Sequence, residues 1–269
     1  MCNMKKYVTL YTVILTVIYM SLCGCGKEPQ VSQKPQIPEG VVIALLDTGV
    51  SSTAITSDHL LTGYNYVEDS TDTEDRINHG TAVTSVILGC ESAGVEAIAP
   101  NAYVVPLVVL TKVDGQEVSV STEVLAKAIR EAVDLYDADI INISLGIQKD
   151  DATLKAAVEY ATQQGVLVVS AVGNGGKEGM PYYPASYDCV IAVGSHDENG
   201  EESSFSQPGA DVLAPGEDIW LASRNGVKYG TRGTSYATSF ISAEAANLLL
   251  QDETLSLEEL KNRIIIDNK

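Results

Sequence analysis

The sequence predicts an α/β fold of three layers, with a mostly parallel central sheet and helices on both of its faces. Three observations predict it. Short apolar runs without alternation recur at 41–46, 103–110, 139–144, 166–171 and 189–194, the form of strands buried on both sides. Helical apolar periodicity fills the intervals between several of them. Strands alternating with helices, and no repeat of 20–50 residues, favour right-handed crossovers into one parallel sheet.

The elements follow in order. Residues 41–46 read Val-Val-Ile-Ala-Leu-Leu and end in a carboxylate, Asp47. A helix is expected to begin at His79. The 121–136 helix sets Val124, Leu125, Ala128, Ile129, Ala132 and Val133 on one stripe. The 151–164 helix does the same with Leu154, Ala157, Val158 and Ala161, and Gly165 stops it. A last helix over 234–251 carries Phe240, Ile241, Ala245, Leu248 and Leu249. In such sheets ligands bind beyond the carboxyl ends of the strands, so the polar residues after each apolar run are the candidates.

Composition bounds the function. With 45% hydrophobic and 20% charged residues in 269, the chain can build a folded core. A formal net charge of −19 excludes nucleic acid as a natural partner, since phosphates need clustered Lys and Arg. Acidity fits an extracellular surface, with a bias toward cationic substrates as the narrower reading.

The amino terminus reads as a targeting segment. Lys5 and Lys6 precede an uncharged apolar run over 7–22, shorter than the roughly 20 residues of a membrane span. The run ends in Leu22-Cys23-Gly24-Cys25, which resembles the bacterial lipoprotein box. The resemblance implies a signal peptide over 1–24 and lipidation at Cys25, anchoring the protein at the outer face of the cytoplasmic membrane; the alternative is ordinary secretion. Residues 25–40 are then a lipidated Cys and a polar, Pro-containing linker, and 41–269 the functional domain. Of the remaining cysteines, Cys90 and Cys189 are read as two buried free thiols. His59 and His196 are read as surface residues.

Three motifs carry chemistry: Leu45-Leu46-Asp47-Thr48-Gly49, His79-Gly80-Thr81-Ala82-Val83, and Gly233-Thr234-Ser235-Tyr236-Ala237-Thr238. A hydroxyl is a weak nucleophile unless an imidazole takes its proton, and the imidazole needs an acceptor to fix its tautomer. Supports lie at Asn142-Ile143-Ser144-Leu145-Gly146 and Ala171-Val172-Gly173-Asn174-Gly175. A single Asp-Thr-Gly among clear helices does not fit the paired carboxylates of aspartic proteases. Ser placed last does not fit the α/β-hydrolase order.

With its Asp, His, Ser order and these contexts, the chain resembles the subtilisin-like serine proteases, from about residue 41 to about 251. The resemblance implies a subtilisin-like fold and a serine endopeptidase acting through an acyl-enzyme, with Asp47, His79 and Ser235 as catalytic triad. It implies Asn174 as oxyanion donor together with the Ser235 backbone N–H, and Ser144, Leu145 and Gly146 as an edge pairing with extended substrate. No cofactor is required for catalysis. Calcium is a candidate structural ion only, with Glu91 in 89–95 as a candidate oxygen ligand, and a tight site is not expected. Peptide or protein substrate is the expected partner, and the protein is expected to be a monomer.

The chain departs from the family pattern at Tyr236 and Ser239, where Met and Pro are usual, and at Thr84, Ser85 and Arg232. Only fifteen residues separate Cys25 from Val41, so no propeptide junction is expected near Val41. Tyr182-Tyr183-Pro184 falls where relatives build the floor of the main specificity pocket, and Tyr182 is expected to fill part of it. Two versions of the enzyme remain: a general degrader, and a dedicated processor of one secreted precursor. The rival class is a catalytically silent surface protein that kept the fold for binding.

Overall fold

A computed structural model describes residues 34–268 of the chain. The chain enters the fold through β1 (Val42–Asp47), followed by the short β2 (Tyr64–Asn65), α1 (Gly80–Leu88) and β3 (Tyr103–Val108). An antiparallel hairpin of β4 (Leu110–Val113) and β5 (Gln116–Ser119) precedes α2 (Thr122–Asp134), β6 (Ile140–Ile143), α3 (Ala152–Gln163), β7 (Leu167–Ala171) and β8 (Ile191–His196). Then come β9 (Val212–Pro215), a second hairpin of β10 (Ile219–Ala222) and β11 (Lys228–Thr231), α4 (Thr234–Gln251) and α5 (Leu257–Asp267).

Seven strands form one sheet in the order β2-β3-β1-β6-β7-β8-β9, and every pairing in it is parallel. Strand β1 shows why its sequence does not alternate. Ile43 and Leu45 face a core shared with Val83 and Ile87 of α1, Ile241 of α4 and Ile264 of α5. Val42, Ala44 and Leu46 face the opposite core, with Leu125 and Ile129 of α2 and Leu154 and Val158 of α3. Successive side chains point to opposite faces, and both faces are covered, so all six β1 residues are buried.

Helix termini follow local chemistry. Ser121 caps α2 by accepting from the Val124 N–H, and Asp151 caps α3 by accepting from Thr153 and Leu154. Each such cap stabilises by about 1 kcal/mol. Gly165, at φ +86°, takes the left-handed turn that returns the chain to β7.

The expected strands and helices are all present, with ends shifted by one or two residues. Three corrections concern side chains read from sequence alone. Cys90 is buried and free, as read, but the free Cys189 is only half-buried. His59 is half-buried and stacks on Tyr103 at 4.5 Å. His196 is half-buried too, its Nδ1 2.6 Å from the Asp197 carbonyl oxygen. The two hairpins and α5 are further elements, beyond those the sequence pattern predicts. Cys25 and the 1–24 segment lie outside the described residues.

Candidate active site

Strand β1 lies between β3, reached through a connection on one side, and β6, reached on the other. The crevice at its carboxyl end is where a parallel sheet opens, and Asp47 is its last residue. Two glycines bring the first two motifs together. At Gly80 a Cβ would sit 2.1 Å from the Gly49 carbonyl oxygen and 3.2 Å from Asp47 Oδ1. Gly49 itself has φ +97°, and a Cβ there would lie 2.3 Å from the Thr73 carbonyl oxygen. Only glycine permits either approach, which explains the Gly after Asp47-Thr48 and the Gly after His79.

The consequence is a 2.7 Å contact between His79 Nδ1 and Asp47 Oδ1. That oxygen also accepts from the Thr48 N–H at 2.7 Å. Asp47 is 2% exposed, and its Oδ2 has no hydrogen-bond partner among the described residues. With an N–H at Nδ1, the ring leaves Nε2 as a base facing outward. Burial pulls the His79 pKa down, but the Asp47 charge and hydrogen bond, with a further push from Asp75, carry it above the ordinary imidazole value. The ring keeps 28% of its surface open, which limits the effect of burial and reinforces the upward direction.

Ser235 is the second residue of α4, at the positive end of the helix dipole. Its Oγ donates to the Ser144 carbonyl oxygen at 3.1 Å, while Ser144 Oγ donates to the Ser235 carbonyl oxygen at 3.0 Å. No hydrogen bond joins Ser235 to His79 among the described residues. Catalytic hydrogen bonds of this kind are often loose without substrate. Tyr236, the next residue, is buried with its ring 5.5 Å from that of His79.

Asn174 sits at the start of the helix that carries Ser235. Its Oδ1 accepts from the Thr234 N–H at 2.9 Å and from Thr234 Oγ1 at 3.1 Å. Two donors fix that oxygen, so the amide cannot flip and Nδ2 is turned toward Gly233, 3.7 Å from where a Cβ would stand. Neither Nδ2 nor the Ser235 N–H finds a protein acceptor among the described residues. Gln207 holds the loop behind them, accepting from the Gly175 N–H at 3.0 Å and donating to the Met180 carbonyl oxygen at 2.6 Å. Its side chain fills the space that a Cβ at Gly173 or Gly175 would need. Gln207 escaped the sequence reading, since nothing local distinguishes it from a loop residue.

Ser144, Leu145 and Gly146 follow β6 directly and are half-buried. Leu145 and Gly146 have no backbone partner among the described residues, so their edge is free to pair. The next residue, Ile147, pairs with Tyr183 through two bonds of 2.9 and 2.8 Å. Tyr182 lies against Gly146, its ring carbons 2.7 and 2.8 Å from where a Cβ would be. Arg232 turns to Phe205, its guanidinium 5.5 Å from the ring centre. Glu91 is exposed at the start of a single 3₁₀ turn, Glu91–Ala93, in which the carbonyls of Cys90, Glu91 and Val95 each accept an amide of the same loop.

The sequence profile of the Peptidase S8 subtilase family matches residues 38–267. The chain belongs to the subtilase family. Subtilisin DY of Bacillus licheniformis is 32% identical over 230 residues, covering 83% of this chain and 82% of that protein. The S41 psychrophilic protease superposes with a TM-score of 0.73 at 27% identity, over 83% of this chain and 81% of that one. The prenylagaramide maturation protease PagA does so with a TM-score of 0.66 at 32% identity, over 79% and 76%. This subtilase is a serine-type endopeptidase, and its substrates are peptides or proteins.

Proposed function

We propose that Asp47, His79 and Ser235 are the catalytic triad of this peptidase, with Asn174 Nδ2 and the Ser235 N–H as its oxyanion hole. The observation that carries the reading is the 2.7 Å contact of Asp47 with His79, fixed by the Gly49–Gly80 approach. Extended substrate adds as a strand to Leu145 and Gly146. Ser235 Oγ turns from the Ser144 carbonyl, gives its proton to His79 Nε2 and attacks the scissile carbonyl carbon. The His79 Nδ1 proton stays on the ring, held by Asp47, which stabilises the imidazolium. Charge developing on the carbonyl oxygen meets the two free donors. His79 then protonates the leaving amine, and water hydrolyses the acyl-enzyme by the same proton path.

A fluorophosphonate probe tests this reading. Labelling of wild type that disappears in a folded Ser235→Ala variant supports it. Absence of labelling in well-folded wild type supports instead the catalytically silent binding protein.

Two finer readings concern location and substrate. Cys25 carries the lipid anchor, which puts the domain on the outer face of the cytoplasmic membrane. Cys25→Ala should move the protein from the membrane fraction to the soluble one. A dedicated processor of one secreted precursor is favoured over a general degrader. Tyr182 against Gly146 and Tyr236 against His79 crowd the site from two sides, which suits a narrow substrate range.

A further inference from the structure

Helix α1 begins with a conflict. His79 is its N-cap residue, a position where a side-chain oxygen normally satisfies the first free amides. The His79 side chain makes no cap bond; its imidazole is turned to Asp47. The amides of Gly80 and Thr81 therefore need acceptors from elsewhere. Gly80 N–H donates to Thr48 Oγ1 at 2.8 Å, and Thr81 N–H donates to Asp75 Oδ2 at 2.9 Å.

Asp75 is 0% exposed, and its carboxylate accepts five hydrogen bonds. Oδ1 takes the Thr48 hydroxyl at 2.9 Å and the Ile77 and Asn78 N–H groups at 2.9 and 2.8 Å. Oδ2 takes the Thr81 N–H and, at 2.7 Å, the Thr81 hydroxyl. One carboxylate thus grips the residue after Asp47, the two residues before His79, and the first turn after it. A buried carboxylate costs several kcal/mol in desolvation unless fully hydrogen-bonded; an exposed cap would have served helix α1 alone. The neighbouring acids Glu68, Asp69 and Asp72 are exposed and Glu74 is half-buried.

We propose that Asp75 is a positioning residue for catalysis, locking the His79 ring to Asp47 from behind and setting a second negative charge near the imidazolium. This inference rests on the triad reading. The other groups around the pair leave that charge in place. Arg224 donates its backbone N–H to Asn78 Oδ1 and its guanidinium to the Asp75 carbonyl oxygen, not to the Asp75 carboxylate. Arg76 pairs with Glu68 and Asp72, the Tyr229 hydroxyl reaches the Asn78 carbonyl at 3.5 Å, and the Tyr236 ring lies 5.5 Å from that of His79.

The test compares Asp75→Asn, Thr48→Val and Thr48→Ser in steady-state peptide hydrolysis across pH. Asp75→Asn removes the charge and sets an amide against a donor. Its kcat should fall roughly 10- to 100-fold, as expected for a misplaced base, with KM little changed and the acid limb of kcat/KM moved to lower pH. Thr48→Val breaks the link but keeps the charge, so kcat should fall without that move of the limb, and Thr48→Ser should restore it. A folded Asp75→Asn with wild-type kcat and an unmoved limb overturns the proposal. Should Asp75→Asn not fold, wild-type kcat in Thr48→Val overturns it instead. His79→Ala run alongside separates the two readings: full activity there removes the triad itself, whereas its loss leaves Asp75 judged on its own variants.

Discussion

Replacing Asn174 by Asp tests the oxyanion hole without disturbing what holds it. The side chain keeps its size, and one oxygen can still accept from the Thr234 N–H and hydroxyl, now at 2.9 and 3.1 Å. Only the free Nδ2 donor is lost. Removal of one preorganised donor raises the barrier by about 2.7–4 kcal/mol, a figure measured on the relative subtilisin. At about 1.36 kcal/mol per decade this is roughly a 100- to 1000-fold loss in kcat, and the added negative charge places Asp at or beyond the upper end. KM should stay within a few-fold, because the donor acts on charge that exists only in the transition state. Asn174→Ala should lose similar kcat but also leave the Thr234 amide uncapped, at about 1 kcal/mol of stability. The assay is hydrolysis of a peptide anilide at a pH where His79 is neutral, beside urea melts of all three proteins. A folded Asn174→Asp whose kcat is within about tenfold of wild type would refute the assignment.

Three further outcomes follow from the same geometry. The His79 pKa is raised, so the acid limb of kcat/KM should lie above the ordinary imidazole value of about 6.5 and drop in Asp47→Asn. The sign is opposite for stability: the Asp47–His79 pair stabilises fully below the unfolded value and loses that contribution as pH rises through the folded one, which histidine NMR titration and pH-dependent melts can follow together. Tyr182→Ala clears the ring lying on Gly146, so a peptide-library profile should move toward larger side chains before the cut; an unchanged profile removes Tyr182 from the pocket. Leu154→Ala, at a fully buried position of α3, should cost about 2–5 kcal/mol and lower Tm by several degrees, with kcat per folded molecule unchanged.

What the sequence made legible follows from burial. Strands β1, β6 and β7 are covered on both faces, so they read as unbroken apolar runs, and α3 shows one clean stripe. The hairpin of β4 and β5 has Val113, Glu117 and other exposed residues on a sheet that covers little, so periodicity is faint, and its clear local signal is the Asp114-Gly115 turn. Helix α5 carried a readable start, since Ser256 and Glu259 form a reciprocal capping box. The Asp47–His79 pairing could be anticipated from motif order. Asp75 could not, because its role depends on chain reversals that bring Thr48 and Thr81 to it from 27 residues before and 6 after. Nor could the resting place of the Ser235 hydroxyl, which is set by a carbonyl 91 residues away.

The acyl group of the proposed intermediate sits on Ser235. Wild-type protein mixed with an activated peptide ester, quenched in acid within the first turnovers and mapped by peptide mass spectrometry, should show one acyl adduct, located on Ser235 and missing in His79→Ala. Steady hydrolysis with the adduct on another residue, or with the ester label never appearing on Ser235, would contradict it.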